Sequence, residues 1–342
     1  MSEDYQNLER FANKRFSEVL SAGFSFFGKN WAKLLIPFAS FLIISMILKN
    51  LLIADLNWQS IILTSELNLI LQKDPAEITE LDLSIMIEYL SISYIILFLD
   101  GLMRTLFGVF SMCLFGSYVY KKFKGASPPL LTEIKETFNG KIIIVLLLLG
   151  LGVSLGAFLI YIPSIIIIGF YSFLIFTYSS RNIENPVKSA RNTARGSFWK
   201  IIAVFFISNL VIWGVGLVYH LIIDNFLVVS QNTYNSWFNP TTRNFGMIFS
   251  YNFFNELMDY VFSPLFVCLL CSLYVHISVG KNYSYDISQR NMQYSYEKQS
   301  REYNDITDKL TMKGLYCPFC GTYMTQRKQY CPNCGEQLNF EM

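Results

Sequence analysis

Long stretches without charge alternate with polar segments along this chain of 342 residues. A helix needs about 20 mostly apolar residues to cross the roughly 30 Å of hydrocarbon in a bilayer. Five regions of the sequence meet this requirement, and one of them is twice the length of a single span. The pattern therefore predicts six transmembrane helices, at about residues 34–54, 98–120, 142–160, 164–180, 201–223 and 260–279.

The double-length region lies between Lys141 and Arg181 and contains no charged residue. Tyr161-Ile162-Pro163 stands near its midpoint, and a proline there favours a turn. We interpret the region as two spans joined by a tight hairpin. The first span is interrupted only by Lys49, whose long side chain can carry its ammonium group to the membrane surface.

A short amphipathic segment precedes each odd-numbered span, with apolar residues at helical spacing and Lys or Arg opposite them. Helices of this kind fit the anionic headgroup layer of a membrane, with the apolar face towards the hydrocarbon. The alternative interpretation is a connector helix in the cytosol. The apolar positions are Leu8, Phe11, Phe16, Val19, Leu20, Phe24 and Phe27, then Leu130, Ile134 and Phe138, then Val187, Ala190, Ala194 and Phe198.

Composition and charge placement agree with a membrane protein. Hydrophobic residues make up 53% of the chain and charged residues only 15%, against roughly 25% charged in soluble domains. Segments 10–33, 121–141 and 181–200 each carry five Lys or Arg, whereas segments 55–90 and 224–259 each carry one. Because short cytoplasmic loops retain basic residues, we expect a multi-pass protein of the cell membrane with cytoplasmic N- and C-termini.

The order of amphipathic helix and paired spans resembles a known family of prokaryotic membrane domains. The residues that carry the likeness are Ile162-Pro163-Ser164, Glu184, Pro186-Val187-Lys188-Ser189-Ala190-Arg191 and Gly196-Ser197-Phe198-Trp199-Lys200. They resemble the membrane domain of glycerophosphoryl diester phosphodiesterases and its uncharacterised stand-alone relatives. The resemblance implies an architecture over residues 8–280. It implies no catalysis, because the phosphodiesterase domain of those enzymes is a separate soluble barrel.

Four of the seven cysteines lie close together near the C-terminus, in Cys317-Pro318-Phe319-Cys320-Gly321 and Cys331-Pro332-Asn333-Cys334-Gly335. Both thiolates of a CxxC turn can face one ion, and the following glycine lets backbone amides point at sulfur. Cys317, Cys320, Cys331 and Cys334 therefore predict a zinc ribbon with one structural Zn²⁺ ion. A rubredoxin-type iron site has the same ligands and is the alternative. A closed set of four cysteines leaves no position for an activated water.

A polar segment at residues 281–313 separates the last span from the ribbon and is typical of a mobile linker or a marginal helix. Ribbons of this kind bind protein, RNA or DNA, or simply end a chain. Lys313, Arg327 and Lys328 are weak evidence for a nucleic-acid partner, because a solvated surface explains three bases more simply. A cytosolic protein partner is the hypothesis we retain, in addition to the lipid bilayer.

Asp100 and Arg104 form a candidate intramembrane polar pair, because they lie four residues apart on one face of the second span. Ionisable groups at membrane depth are functional candidates. About 20 residues of hydrocarbon, counted back from Lys121, reach to Asp100. An ion pair at the outer interface is therefore the interpretation that we favour over a pair at membrane depth.

The remaining polar candidates have simpler explanations. His220 and His276 lie near opposite ends of their spans, which argues against a joint metal site. Cys268 and Cys271 have apolar neighbours and no glycine to shape a knuckle, so we interpret them as packing residues. The sequence contains no Ser-His-Asp, HExxH, P-loop or GxGxxG pattern, and we predict no catalytic residues.

Two functions follow as expectations. The first is an all-α polytopic membrane protein that acts as a non-catalytic scaffold or regulator, with the ribbon recruiting a cytosolic partner. The alternative is a transporter or lipid-handling protein, because three repeated helical pairs can enclose a path. A cavity lined by Asp100, Arg104 or Asn209 would favour the alternative, and tight apolar packing there would exclude it.

Overall fold

The computed structural model describes residues 11, 13–74, 77–126, 128–159, 161–179, 183, 185–226, 228–281, 315–324 and 328–338. The chain forms two compact units, Met1–Gly280 and Lys281–Met342. The described part of the first unit is mostly helical, and five of its helices are long and apolar enough to cross a membrane. Apart from Lys281, the predicted linker lies outside the described residues, as do Leu8, Arg181, Glu184, Lys313 and Arg327.

The described helices of the first unit follow the order of the hydrophobic pattern. They are α1 (Phe16–Ile70), α2 (Glu80–Phe123), α3 (Leu130–Thr137), α4 (Ile142–Leu159), α5 (Ile162–Thr177), α6 (Pro186–Ala194), α7 (Phe198–Phe226), α8 (Gln231–Ser236), α9 (Phe245–Asn255) and α10 (Leu257–Lys281). Helix α4 contains a π-helical turn at Leu146–Leu151, and α10 is interrupted by a turn at Ser263 and Pro264. The five long apolar helices are α1, α2, α4, α7 and α10, and α5 is shorter.

Helices α1 and α2 are much longer than a bilayer is thick. They have 55 and 44 residues, which at 1.5 Å per residue makes them about 80 Å and about 65 Å long. Residues 55–70 and 80–90, which lie outside the predicted spans, are helical and extend α1 and α2. Acidic residues do not break a helix, and Pro75 is the only proline or glycine in segment 55–90.

The start of α2 is stabilised by a capping box. The Thr79 hydroxyl accepts a hydrogen bond from the Asp82 amide, and the Asp82 carboxylate accepts bonds from the Thr79 amide (2.9 Å) and hydroxyl (2.8 Å). Lys73 Nζ lies 2.8 Å and 2.9 Å from the two oxygens of Asp82. The hydrogen bonds from Lys73 and Thr79 lower the pKa of Asp82 to about 2.

We expect the Asp82→Asn variant to loosen the first turn of α2 at pH 6, because the capping side chain loses its charge. Amide hydrogen exchange in that turn should be on the order of fivefold faster than in the wild type. The folded-state pKa of Asp82 lies below the unfolded value of about 3.9. Its stabilising contribution is therefore present above about pH 4 and is lost as the pH falls towards 2. Hydrogen exchange, corrected for intrinsic rates, should show the two proteins converging near pH 2. Glu80→Gln, in the same turn, is the control; equal exchange of wild type and Asp82→Asn at pH 6 would contradict the prediction.

Helices α4 and α5 form the hairpin that the charge-free region predicts. Tyr161 has a left-handed conformation with φ 67°, and α5 begins directly after it with Pro163 in its first turn. The Ser164 hydroxyl donates a hydrogen bond of 2.6 Å to the Val153 carbonyl, which ties α5 to α4. A side chain at Gly156 would place its Cβ 2.7 Å from the Ser164 amide nitrogen, so glycine is required for this close approach.

The amphipathic segments become two kinds of structure. The second and third form the short helices α3 and α6, whereas the first continues into α1 without a break over residues 16–70. Helix α3 is held to α2 by its buried Glu133, whose carboxylate lies 2.6 Å from Lys121 Nζ and accepts a 2.8 Å hydrogen bond from Ser117. These short helices therefore pack against the bundle rather than lying apart from it.

The deepest part of the core lies along α10. Leu269, Leu270 and Cys271 are fully buried, and the Ser272 hydroxyl donates a 2.7 Å hydrogen bond to the Val19 carbonyl of α1. The absence of a side chain at Gly23 allows α1 to approach Leu269. Burial of Cys271 among apolar neighbours agrees with its interpretation as a packing residue.

The described part of the second unit is a small antiparallel hairpin with two cysteine turns. Strand β1 (Leu315–Tyr316) pairs with β2 (Tyr323–Met324), with Leu315 opposite Met324. Its buried side chains are Cys317, Met324, Cys331 and Leu338. Two of these four are cysteines, so the described part of the unit buries only two other apolar side chains.

Candidate metal centre and helical-bundle cavity

The two CxxC turns have the same backbone hydrogen bonds. In the first, Gly321 N donates to Cys317 O (2.8 Å) and Cys317 N donates to Thr322 O (2.9 Å). The second turn repeats both bonds around Cys331, at 2.9 Å each. Gly321 and Gly335 have φ angles of 70° and 74°, a left-handed conformation that favours glycine. The CxxCG pattern therefore builds two equivalent knuckles.

The knuckles bring all four cysteines together, and their sulfur atoms lie within 4.8 Å of one another. Cys317 Sγ is 3.7 Å from Cys334 Sγ, and Cys320 Sγ is 3.6 Å from Cys331 Sγ. Metal–sulfur bonds of about 2.3 Å in a tetrahedron require sulfur atoms about 3.8 Å apart, whereas a disulfide requires about 2.05 Å. The four thiols thus fit a metal ion and are not disulfide-bonded.

The surroundings of Cys320 and Cys331 favour their thiolates, whereas desolvation and the three neighbouring sulfur atoms raise the pKa of the Cys334 thiol to about 12. The Thr322 hydroxyl, 3.2 Å from Cys320 Sγ, lowers the pKa of that thiol to about 6. The backbone amide of Cys334 lowers the pKa of Cys331. Asn333 Nδ2 donates to the Thr322 oxygen at 2.9 Å and so holds the Thr322 side chain beside the centre. Thiolate is the form that binds metal.

A network of charged residues joins three helices of the first unit. Lys49 Nζ of α1 lies 2.7 Å from Asp100 of α2 and 3.0 Å from Glu256, at the start of α10. Arg104 of α2 lies 3.1 Å from Glu256 and 2.6 Å from Asp259. Asp100 and Arg104, paired in the sequence analysis by their spacing, therefore each bind a partner on another helix.

Sequence reasoning missed Lys49, Glu256 and Asp259 as members of this network. Glu256 is more than 150 residues from Arg104 and 207 residues from Lys49, so no local spacing relates them. The one available signal was Lys49 itself, since it is the only charge within an otherwise apolar span. The Lys49 side chain is only 12% exposed, and its ammonium group is paired with Asp100 and Glu256 between the helices.

A cavity of about 280 Å³ adjoins the charge network. Residues from α1, α2, α4, α5, α7 and α10 line it, and Asn209 of α7 is among them. The lining runs from Arg104 to Met112 on α2 and from Asp259 to Phe266 on α10. The charged residues therefore stand at one end of the cavity, and apolar side chains form most of its length.

The opposite end of the cavity is packed. Beyond Met112, the α2 residues Cys113 and Phe115 are 0% and 2% exposed, and Phe173 and Leu269 on the facing helices are both 0% exposed. In the orientation that the basic segments predict, this packed end is the cytoplasmic half of the bundle. The charged residues Arg104 and Asp259 lie at the other end of the cavity.

Hydroxyl groups line the cavity in a uniform way: each donates its proton to a carbonyl of its own helix at 2.6–2.9 Å. A hydroxyl that has donated its proton retains lone pairs that can accept a hydrogen bond. The lining is therefore rich in acceptors. The bonds are Thr105 to Gly101, Ser111 to Gly108, Ser172 to Ile168, Ser208 to Phe205 and Ser263 to Tyr260.

The histidines lie apart from both features. His220 is exposed and 4.0 Å from Asp224, while His276 Nδ1 is 3.0 Å from the carbonyl oxygen of Phe11. Each therefore has a contact of its own, and the structure does not bring the two rings together.

Comparison with known proteins gives no match: no family model, curated protein or solved structure resembles the chain. The functional argument rests on the geometry above.

Proposed function

We propose that the first unit is a six-span membrane domain with both chain termini in the cytoplasm. Five helices of sufficient length support this proposal, and α5, about 24 Å long, completes a sixth span as the partner of α4 in the hairpin. A bilayer thins by a few Å around a short helix at modest cost. The basic segments that precede α1, α4 and α7 support the orientation. The likeness to phosphodiesterase membrane domains stays a prediction.

We propose that this domain binds an amphipathic molecule in the bundle cavity. The observation that carries the proposal is a cavity bounded by six helices, apolar along its length and charged at one end. Lining by Arg104 and Asn209 favours the lipid-handling or transport alternative over a purely structural bundle. With the cytoplasmic end packed, the ligand enters from the outer leaflet or the outer surface.

The size of the cavity supports an occupant. The volume of about 280 Å³ is close to the lower end of the roughly 300–1,000 Å³ range of ligand-binding pockets. An apolar tail would cover the mostly apolar lining and remove that surface from water.

The charged residues indicate the chemical character of the ligand's polar head group. The network combines the carboxylates of Asp100, Glu256 and Asp259 with the cations Lys49 and Arg104, so carboxylates are in excess. Hydroxyl oxygens along the cavity add acceptors. Both features complement a head that is positively charged or rich in hydrogen-bond donors.

Filling the cavity tests this function. We expect Gly108→Leu to displace the ligand, because Gly108 lines the cavity and its Cβ direction is open for at least 4 Å. Native mass spectrometry of protein released from its own membranes should show bound amphiphile reduced about tenfold. Gly101→Leu is the matched control, since Gly101 also lies on α2 in open space but does not line the cavity. Equal ligand occupancy in both variants would refute the proposal.

We propose that the second unit is a zinc ribbon whose single ion is structural, and that the whole protein is non-catalytic. Four convergent sulfur atoms support zinc, because closed four-cysteine sites are its usual structural form. The folded ribbon presents the exposed side chains of Tyr316, Phe319, Tyr323 and Tyr330. Exposed aromatic residues are typical of protein interfaces, which supports a cytosolic protein partner over nucleic acid.

A further inference from the structure

A pocket of about 400 Å³ lies between α1 and α2, beside the ion pair of Lys49 and Asp100. Its volume falls within the roughly 300–1,000 Å³ range of ligand-binding pockets. We call this site the polar pocket, and none of its lining residues lines the bundle cavity. Helices α1, α2, α8 and α9 contribute uncharged polar side chains to it: Asn50, Asn57, Ser60, Ser93, Tyr234 and Asn252.

Several polar groups of this pocket take no part in holding the fold together. Within the described part of the chain, the side chains of Asn57, Ser60 and Ser93 and the Tyr234 hydroxyl form no hydrogen bond with another residue. Every fully buried side-chain nitrogen or oxygen atom of the described residues does have a partner. The unpaired groups therefore reach the open space of the pocket, where a ligand can bind them.

The other polar residues of the pocket are paired and fix its walls. Lys49 Nζ lies 2.7 Å from Asp100, so the two charges of the lining neutralise each other. Asn252 of α9 donates a 2.8 Å hydrogen bond to the side-chain oxygen of Asn50, which in turn donates to the Met46 carbonyl at 2.8 Å. The pocket thus presents neutral donors and acceptors on a lining with no net charge.

We propose that the polar pocket binds a saccharide. Sugar hydroxyls donate and accept hydrogen bonds, as do the amide of Asn57 and the hydroxyls of Ser60 and Ser93. Tyr234 combines an apolar ring with a polar hydroxyl, which suits the C–H face and the hydroxyl edge of a sugar. Its ring is held in place by Tyr251, at a centroid distance of 4.9 Å.

Other classes of ligand fit this lining less well. A charged head group gains little, because Lys49 and Asp100 already neutralise each other. An apolar ligand would leave the free amide and hydroxyl groups unpaired and away from water, which is costly. A site built to bind hydroxyl groups rejects ligands without them for the same reason.

Two sources present this sugar chemistry, a glycolipid head group and a free saccharide. On α2, the lining of the polar pocket ends at Asp100 and that of the bundle cavity begins at Arg104. The charge network therefore separates the two sites. The saccharide proposal does not rest on the amphiphile proposed for the bundle cavity, so either proposal can fail alone.

The test uses the full chain in lauryldimethylamine oxide, a detergent that contains no sugar. Thermal unfolding is followed during titration with the methyl glycosides of glucose, galactose, mannose and N-acetylglucosamine. In a second arm, native mass spectrometry counts glucosyl and galactosyl diacylglycerol retained on the protein against phosphatidylcholine. Unfolding without ligand checks that each variant is folded.

The pocket variant is Asn57→Leu/Ser93→Ala. Its matched control is Asn68→Leu/Ser84→Ala, which makes the same substitutions at exposed positions of the same two helices, outside the pocket. Tyr234→Phe is a milder second variant, because it removes one hydroxyl and keeps the ring.

Wild type and control are expected to bind sugar equally, and the pocket variant about tenfold more weakly because it lacks two hydrogen-bonding side chains. Tyr234→Phe should weaken binding about threefold, and Gly108→Leu, which fills the bundle cavity, should leave the response to methyl glycosides unchanged. A response to methyl glycosides would support a free saccharide, and selective retention of a glycosylated lipid without that response would support a glycolipid head group. Equal sugar binding by the pocket and control variants, or none by the wild type in either arm, would overturn the proposal.

Discussion

Cys317→Ser and Cys331→Ser are each expected to reduce bound zinc from about one ion per chain to nearly none and to unfold residues 315–338. The physical reason is the small number of apolar side chains that hold this unit together: among its described residues, only Met324 and Leu338 are buried besides two of the ligands. Zinc supplies roughly 10–16 kcal/mol of folding free energy in modules of this kind. A site with three thiolates cannot supply this folding free energy, and the few buried apolar residues cannot replace it.

Metal analysis of the purified protein, with hydrogen exchange of the C-terminal unit, measures both effects. Cys268→Ala is the control, because Cys268 is buried in α10 and is not among the four convergent sulfurs; it should keep a full complement of zinc. Iron in the wild type, or zinc retained by Cys317→Ser, would contradict the prediction. Affinity purification of the same proteins tests recruitment, since a partner bound through the ribbon must disappear together with the metal.

Glu256→Ala is expected to lower the free energy of unfolding by about 2–3 kcal/mol. One oxygen of Glu256 accepts from Lys49 and pairs with Arg104, and the other accepts a 2.8 Å hydrogen bond from the Tyr260 hydroxyl. The Glu256 and Lys49 side chains are only 19% and 12% exposed. Removing the shared carboxylate leaves the poorly exposed Lys49 ammonium group with one partner fewer and the Tyr260 hydroxyl unpaired. The loss stays below that of an isolated buried pair because Lys49 keeps Asp100 and Arg104 keeps Asp259.

Thermal or denaturant unfolding in detergent measures this loss, and a surface ion pair provides the comparison. Arg243 lies 2.6 Å from Asp55, a shorter contact than any made by Glu256, but Asp55 is 80% exposed. Exposed pairs contribute about 0–1 kcal/mol, so Asp55→Asn should have little effect. Similar losses for Glu256→Ala and Asp55→Asn would show that the network is a surface feature and would weaken its assignment to a binding site.

These two features differ in how far the sequence revealed them. The cysteine centre was predictable because a CxxCG turn fixes the geometry of its own ligands within five residues. The charge network was not, because its members come from three helices and meet only when those helices pack. The four-residue spacing of Asp100 and Arg104 suggested a pair, whereas each residue binds a carboxylate or an ammonium group on another helix.

The hydrophobic pattern by itself determined that the chain is mostly helical with membrane-length segments, because that pattern measures how long each apolar run is. The sequence also determined the hairpin at Tyr161 and the site formed by the four cysteines, because each depends on short motifs of neighbouring residues. Only the tertiary structure decided that Lys49 is paired with carboxylates of two other helices and that a cavity remains between six helices. Those properties depend on which helix faces meet and on what space their side chains leave unfilled, and neither is encoded in the local periodicity of one segment.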